Sequence, residues 1–315
     1  MVLRGVGAQA TAAAVAGTDA LLGGSTLGPD GEGQATVWTL PLEGKAQYQQ
    51  VLESGPSVTP AGGVGELTTS GQAILALEGG GGSHAWLRDL NRQWHLLSLP
   101  PALTLAASAA SPSGNGWVAL GEMGQQVVVA TISQDGAVTT HDTTGLAGAT
   151  AAPNTLSSLG ERLVSVGGSP GFSAVSDPGY MSWQVSTQLR SQEESRAAAL
   201  GDGTLCAVGA GTFSSIPPGY VSRDGLTWSA GAGSGPPLSG RISSIAAAGT
   251  GVLAFGEGAG GRISVWGSSD CASWQALGPP EAPASTIPVV GASADWGAVV
   301  VGATNGENVA WVTRL

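Results

Sequence analysis

Glu193 and Glu194 are the only adjacent carboxylates in the 315-residue chain. A close carboxylate pair can divide general acid and general base between two side chains. Neighbouring residues of a strand point to opposite faces, so this pair is not built to share a proton. Gly167-Gly168-Ser169-Pro170-Gly171 satisfies G-x-S-x-G, the turn that presents a hydrolase serine. That turn works only between a strand and a helix, and here both flanks read as strand. Gly79 to Gly82 could cradle a phosphate, but no Gly-Lys-Ser/Thr follows, so the run reads as a loop. The three histidines, His84, His95 and His141, lack the spacing of a metal site, and none is expected. Glu194 and Arg241 hold one repeat position in neighbouring repeats. They read as an ion pair between them, with substrate anchoring as the other use of the same groups.

The elements that must position these groups are short strands. Gly numbers 52 and Pro 18, 42% of residues are hydrophobic and 10% charged. That combination excludes disorder, which needs low hydrophobicity and high charge. The glycines have no three-residue period, which excludes collagen. A formal charge of −11 repels a phosphate backbone, so nucleic acid is not an expected partner. No apolar run reaches the ~20 residues a membrane helix needs. The opening MVLRGVGAQATAAAVAG has the small residues of an export signal but a weak apolar core, and reads as mature protein.

A motif recurs seven times: an apolar strand that ends in Gly or Glu at a loop. It reads ALLGG, LALEG, VALGE, VSVGG, CAVGA, LAFGE and VVVGA, marked by Gly23, Glu78, Gly121, Gly167, Gly209, Gly256 and Gly302. The steps are 55, 43, 46, 42, 47 and 46 residues, so the period is about 46 with one insertion in the first. A small-residue run precedes each marker and a β-rich run follows it. A fourth segment is centred on Tyr48, Trp94, Thr139, Trp183, Trp228 and Trp274 in the first six repeats. Four strands per repeat at this period predict an all-β, seven-bladed β-propeller that occupies 1–315 as one domain. The seventh repeat reaches Leu315 after its third strand, and residues 2–6 are expected to close the ring as its fourth. Small first-strand residues are expected to be steric, because blades crowd near the axis.

The turn before the fourth strand resembles a known motif. Ser222-Arg223-Asp224-Gly225-Leu226-Thr227-Trp228 is similar to the Asp box of sialidase-like (BNR-repeat) propellers, one residue shorter. Ser268 to Trp274, with Asp270, and Ser133 to Thr139, with Asp135, repeat it; Asp89 to Trp94 keeps the Asp-to-Trp interval. The Asp caps turn N–H groups and the Trp packs between sheets. The resemblance implies a structural role for these boxes, away from any active site. Gly240-Arg241-Ile242-Ser243 and Gly261-Arg262-Ile263-Ser264 match half of the sialidase F/Y-R-I-P motif.

These readings lead to a non-catalytic, extracytoplasmic binding propeller, secreted, periplasmic or at the cell surface. Its protein, peptide or glycan partner is expected on the face carrying the loops between second and third strands. The candidate ligand-binding residues there are Glu66, Glu78, Glu122, Glu194, Arg196, Arg241 and Glu257. Glu53 and Glu281 are assigned to the same acidic rim. No cofactor is expected; Ca²⁺ is the ion such a rim would suit. The alternative is a carbohydrate-active enzyme, a hydrolase or a lyase, and the third reading a scaffold in a surface assembly. Cys206 matches apolar strand positions and Cys271 falls in a hairpin turn, so the two are expected to be unbonded.

Overall fold

The structure, a computed structural model, describes residues 2–41, 48–52, 62–146, 153–168, 171–189, 193–210, 219–231, 241–277, 290–294, 297–304 and 307–314. Seven antiparallel sheets follow one another, each a meander whose strands pair in chain order. Blades one to seven span 9–51, 64–96, 103–142, 153–186, 193–230, 241–276 and 290–314. Six sheets have four strands and the seventh has three among the described residues. The fold is a seven-bladed β-propeller. By internal contacts the chain forms two compact units, Met1–Thr144 with blades one to three and Gly145–Leu315 with blades four to seven.

The second strand of a blade is covered on both faces, which is why its sequence is an apolar run and not an alternation. Ala73–Glu78 is buried up to its last residue, and Trp117–Met123 is buried over its first five. Adjacent blades share cores. Ala14, Leu21 and Val37 of blade one meet Val64, Ile74 and Trp86 of blade two. Within the second unit, Cys206 and Val208 meet Val252, Trp266 and Trp274 across blades five and six. The marker glycine reflects close approach: a Cβ on Gly23 would collide with the Val64 side chain of the next blade.

First strands do more than stay small. Thr11 Oγ1 donates to the Val64 carbonyl (2.5 Å), and Ser244 Oγ accepts from the Gly291 N–H (3.2 Å). Thr155 Oγ1 accepts from the Ala197 N–H at 3.1 Å. Each bond crosses from one blade to the next, so Ser and Thr here stitch neighbouring first strands together. Residues 2–6 make no strand of their own beyond a single bridge at Val2. The Arg4 carbonyl accepts from the Trp38 indole (2.8 Å), and the Val6 carbonyl from the Leu27 N–H (2.8 Å), so this segment is tied to blade one.

Candidate functional site

Blade five turns between its third and fourth strands through Ser222-Arg223-Asp224-Gly225-Leu226-Thr227. Asp224 Oδ1 accepts the N–H groups of Leu226 (2.9 Å) and Thr227 (2.7 Å), and Ser222 Oγ donates to it at 3.0 Å. Gly225 takes φ +73°, and Trp228 donates its indole N–H to Ser173 Oγ (2.9 Å) in blade four. Blade six repeats the arrangement: Asp270 Oδ1 accepts from Ala272 (2.9 Å) and Ser273 (2.7 Å). In blade three Ser133 Oγ donates to Asp135 and accepts from the Ala137 N–H. Blade four has a version that the sequence reading passed over. Asp177 occupies the place of Ser222, six residues before its Trp, and accepts from Met181 (2.8 Å) and Ser182 (3.2 Å).

The turns of blades five and six border a groove of about 550 Å³ on one edge of these two blades. Its lining includes Asp202, Thr204, Arg223, Asp224, Ser269 and Asp270. The Thr227 N–H holds the Asp224 carboxyl down to about 2, against partial desolvation. The Ser273 N–H lowers Asp270, and the Thr204 N–H lowers Asp202. Three carboxylates, all lowered, and one guanidinium therefore line the groove together with several hydroxyls, and Arg223 acts on Asp202. The groove can take a cationic or hydroxyl-bearing group. It lies on the edge of the turns before the fourth strands, opposite the edge where the sequence placed the partner.

The cysteines correct an expectation. Cys206 and Cys271 are joined in a disulfide with Cα atoms 5.5 Å apart across 65 residues of chain. Both are fully buried. The turn is not peripheral. Its left-handed residue presses on the second strand of the preceding blade, as Gly225 does on Val164 in blade four. Cys271 holds that same place with φ +61°, and Cys206 is the register equivalent of Val164. The sequence aligns the two turns; the packing of their left-handed residue on the preceding blade, which the structure shows, is what brings Cys271 to Cys206.

The predicted ligand residues separate into different tasks. Glu78 and Glu257 end second strands, and Glu122 lies one residue before the end of its own. Glu122 is exposed. Glu66 Oε1 accepts from the Ser108 N–H (2.8 Å) and Ser108 Oγ (2.9 Å) across the seam from blade two to blade three, and from Thr68 Oγ1 (3.0 Å) of its own strand. Burial pushes its carboxyl up despite those donors. Glu78 accepts from Gly62 N–H (2.7 Å), His84 N–H (3.1 Å) and His84 Nδ1 (2.8 Å). Desolvation raises it, and these donors outweigh that and leave it lowered. Glu257 pairs in backbone register with Arg241. The side chains of Glu193, Glu194 and Arg241, with Arg190, Glu53 and Glu281, lie outside the described residues. Arg196 is half-buried in its first strand. An ion pair between blades is present elsewhere: buried Arg88 of blade two meets buried Asp19 of blade one at 3.3 Å. Ser169 and Pro170 also fall outside the described residues. Among the described residues no group of three or more His, Cys, Asp or Glu is placed to hold a metal ion. Among them, too, no helix is long and apolar enough to cross a membrane.

No family model matches the chain, and no curated protein matches it. Solved structures do resemble it. A catalytically inactive virginiamycin B lyase from Staphylococcus aureus with quinupristin superposes with TM-score 0.65 at 12% identity, covering 92% of this chain and 94% of the lyase. YCF48 bound to D1 peptide gives 0.63 at 15% identity, over 99% and 96%. The β-propeller domain of Cps50 (Swd1) from Myceliophteria thermophila gives 0.62 at 12%, over 99% and 98%. Identities this low establish the propeller fold.

Proposed function

We propose that this chain is a binding propeller of an oxidising, extracytoplasmic compartment, and that it docks a basic peptide segment in the groove of blades five and six. The observation that carries the reading is the groove itself, about 550 Å³ with Asp202, Asp224 and Asp270 set against Arg223. The net charge of −11 favours a cationic partner at long range. The Cys206–Cys271 bond suits an oxidising compartment. A peptide-bound propeller among its structural relatives, YCF48, supports the class of partner. The test is titration of a labelled Lys- and Arg-containing peptide against its Glu-containing counterpart. The basic peptide is expected to bind, more weakly in salt, and Asp202→Asn to weaken it several-fold, since Asn keeps the turn and removes the charge. Equal binding of both peptides, or an unaffected Asp202→Asn variant, would overturn it.

A second reading has one observation in its favour. Thr204, Ser222, Thr227, Ser229 and Ser269 give the groove a hydroxyl-rich lining, which suits a sugar. With the Ser-x-Asp turns, this supports kinship with sialidase-like propellers and a carbohydrate-active role. Displacement of the basic peptide by a neutral oligosaccharide would favour it.

A further inference from the structure

The Glu78–His84 pair lies in blade two of the first unit. Glu78 ends the second strand of blade two, and His84 stands opposite it, just before the third strand Ala85–Arg88. The Glu78 N–H donates to the His84 carbonyl (3.0 Å), which puts both side chains on one face. His84 Nδ1 is 2.8 Å from Glu78 Oε2. An ionised carboxylate only accepts, so Nδ1 carries a proton, and in the neutral tautomer with that proton Nε2 is a lone pair. The ring is fixed from its flank as well, stacked on Trp86 at 5.7 Å with 11° between planes. His84 is 3% exposed, and Nε2 is buried with no hydrogen-bond partner among the described residues. Buried nitrogen is normally satisfied, so an oriented and empty acceptor is an unfinished contact.

What covers the pair is the glycine loop. A Cβ on Gly82 would collide with the Glu78 side chain, so glycine lets the backbone lie directly against that carboxylate. The ends of the loop are anchored, by Gly79 N–H to the Gly63 carbonyl (2.9 Å) and by Leu105 N–H to the Gly82 carbonyl (3.2 Å). Gly80 and Gly81 between them take φ +74° and +73°, and a Cβ on either would meet nothing within 4 Å. Gly80 and Gly81 therefore border open space between two anchored ends.

We propose that Glu78 and His84 form a carboxylate-oriented imidazole base, whose Nε2 receives a protic group, O–H or N–H, of a small ligand admitted as Gly80 and Gly81 move aside. Glu78 is the positioning residue: it fixes the tautomer and accepts the Nδ1 proton when Nε2 is engaged.

Diethyl pyrocarbonate is the probe. The Nε2 lone pair attacks one carbonyl carbon and expels ethyl carbonate, which breaks down to carbon dioxide and ethanol. The Nδ1 proton leaves toward Glu78. Modification of His84 and of more than half-exposed His95 is followed by peptide mass spectrometry, with circular dichroism reporting the fold. His84 is expected to react in the folded protein, at a rate that stays flat in low urea. Glu78→Gln is expected to slow His84 by about tenfold or more, leaving His95 unchanged. A His84 that reacts only when urea unfolds the chain, or not at all, overturns the proposal on the wild-type protein alone. An Nε2 nitrogen shift in ¹⁵N-histidine NMR that reports a bound water would also overturn it.

Discussion

Glu66 shows how one residue can serve a seam and weaken it. It stands twelve residues before its marker, the position held by Thr155 and Ser244 in blades four and six. Those hydroxyls accept the N–H of Ala197 and Gly291 in the next blade; Glu66 accepts that of Ser108. Only the carboxylate brings charge into the seam, and desolvation raises its pKa. A carboxyl raised in the folded state binds its proton more tightly there than in the unfolded chain. Stability therefore rises as pH falls through the folded value, and the charge is a cost at neutral pH. Gln keeps the accepting oxygen without the charge. Glu66→Gln is expected to melt higher than wild type at pH 7 to 8, and the gap should close toward acid. Melting curves that coincide at every pH would show the charge to be fully solvated. Asp224 carries the opposite sign, since its carboxyl is lowered from 3.8 to about 2 by the turn N–H groups. Its contribution is present above the ordinary value and is lost as pH falls toward 2.

Blade pairs explain what single turns do not. The left-handed residue of each Ser-x-Asp turn rests on the preceding blade, and a Cβ on Gly225 would come within 2.7 Å of Val175 and 2.9 Å of Val164. Cys271 and Cys206 turn the same contact into a covalent one between blades six and five. In the chain-entropy model a loop of this length contributes about 4 kcal/mol, or about 6 °C in melting temperature for a chain of this size. The double replacement Cys206→Val with Cys271→Gly rebuilds the blade-five arrangement. It is expected to keep the strand content and lose about that margin, matching wild type under reduction. A reductant that leaves the wild-type melting curve in place would refute this account. The blades themselves were legible because second strands are apolar runs in phase, and phase survives sequence drift. The seam was not legible. Cys206 looked like one more apolar strand residue, and its partner is set by packing between blades that no local pattern encodes. Glu78 was legible as the end of its strand, but its partner was not, because a His six residues on meets it only if the hairpin closes.

At the level of the whole molecule, seven phased repeats carry the fold class, and the acidic rim rests on repeat position and charge together. Of its residues, Glu66 and Glu78 accept hydrogen bonds within their own chain and Glu122 is exposed. The segment before the first blade is similarly specific. Trp38 is fully buried, and its indole N–H finds its acceptor in the Arg4 carbonyl at 2.8 Å. The Leu27 N–H, at the end of its strand, depends on the Val6 carbonyl at 2.8 Å. Removing residues 1–7 therefore leaves a buried donor without a partner, a loss of about 1–3 kcal/mol, and exposes apolar surface around Leu3. The truncated chain is expected to melt several degrees lower. Trp38→Phe removes the indole N–H and so removes the need for Arg4. In that background the same truncation should cost measurably less, and the difference between the two truncations is the coupling of Arg4 to Trp38. Equal losses in both backgrounds would place the stabilisation in the apolar contacts of Leu3 and not in the hydrogen bond.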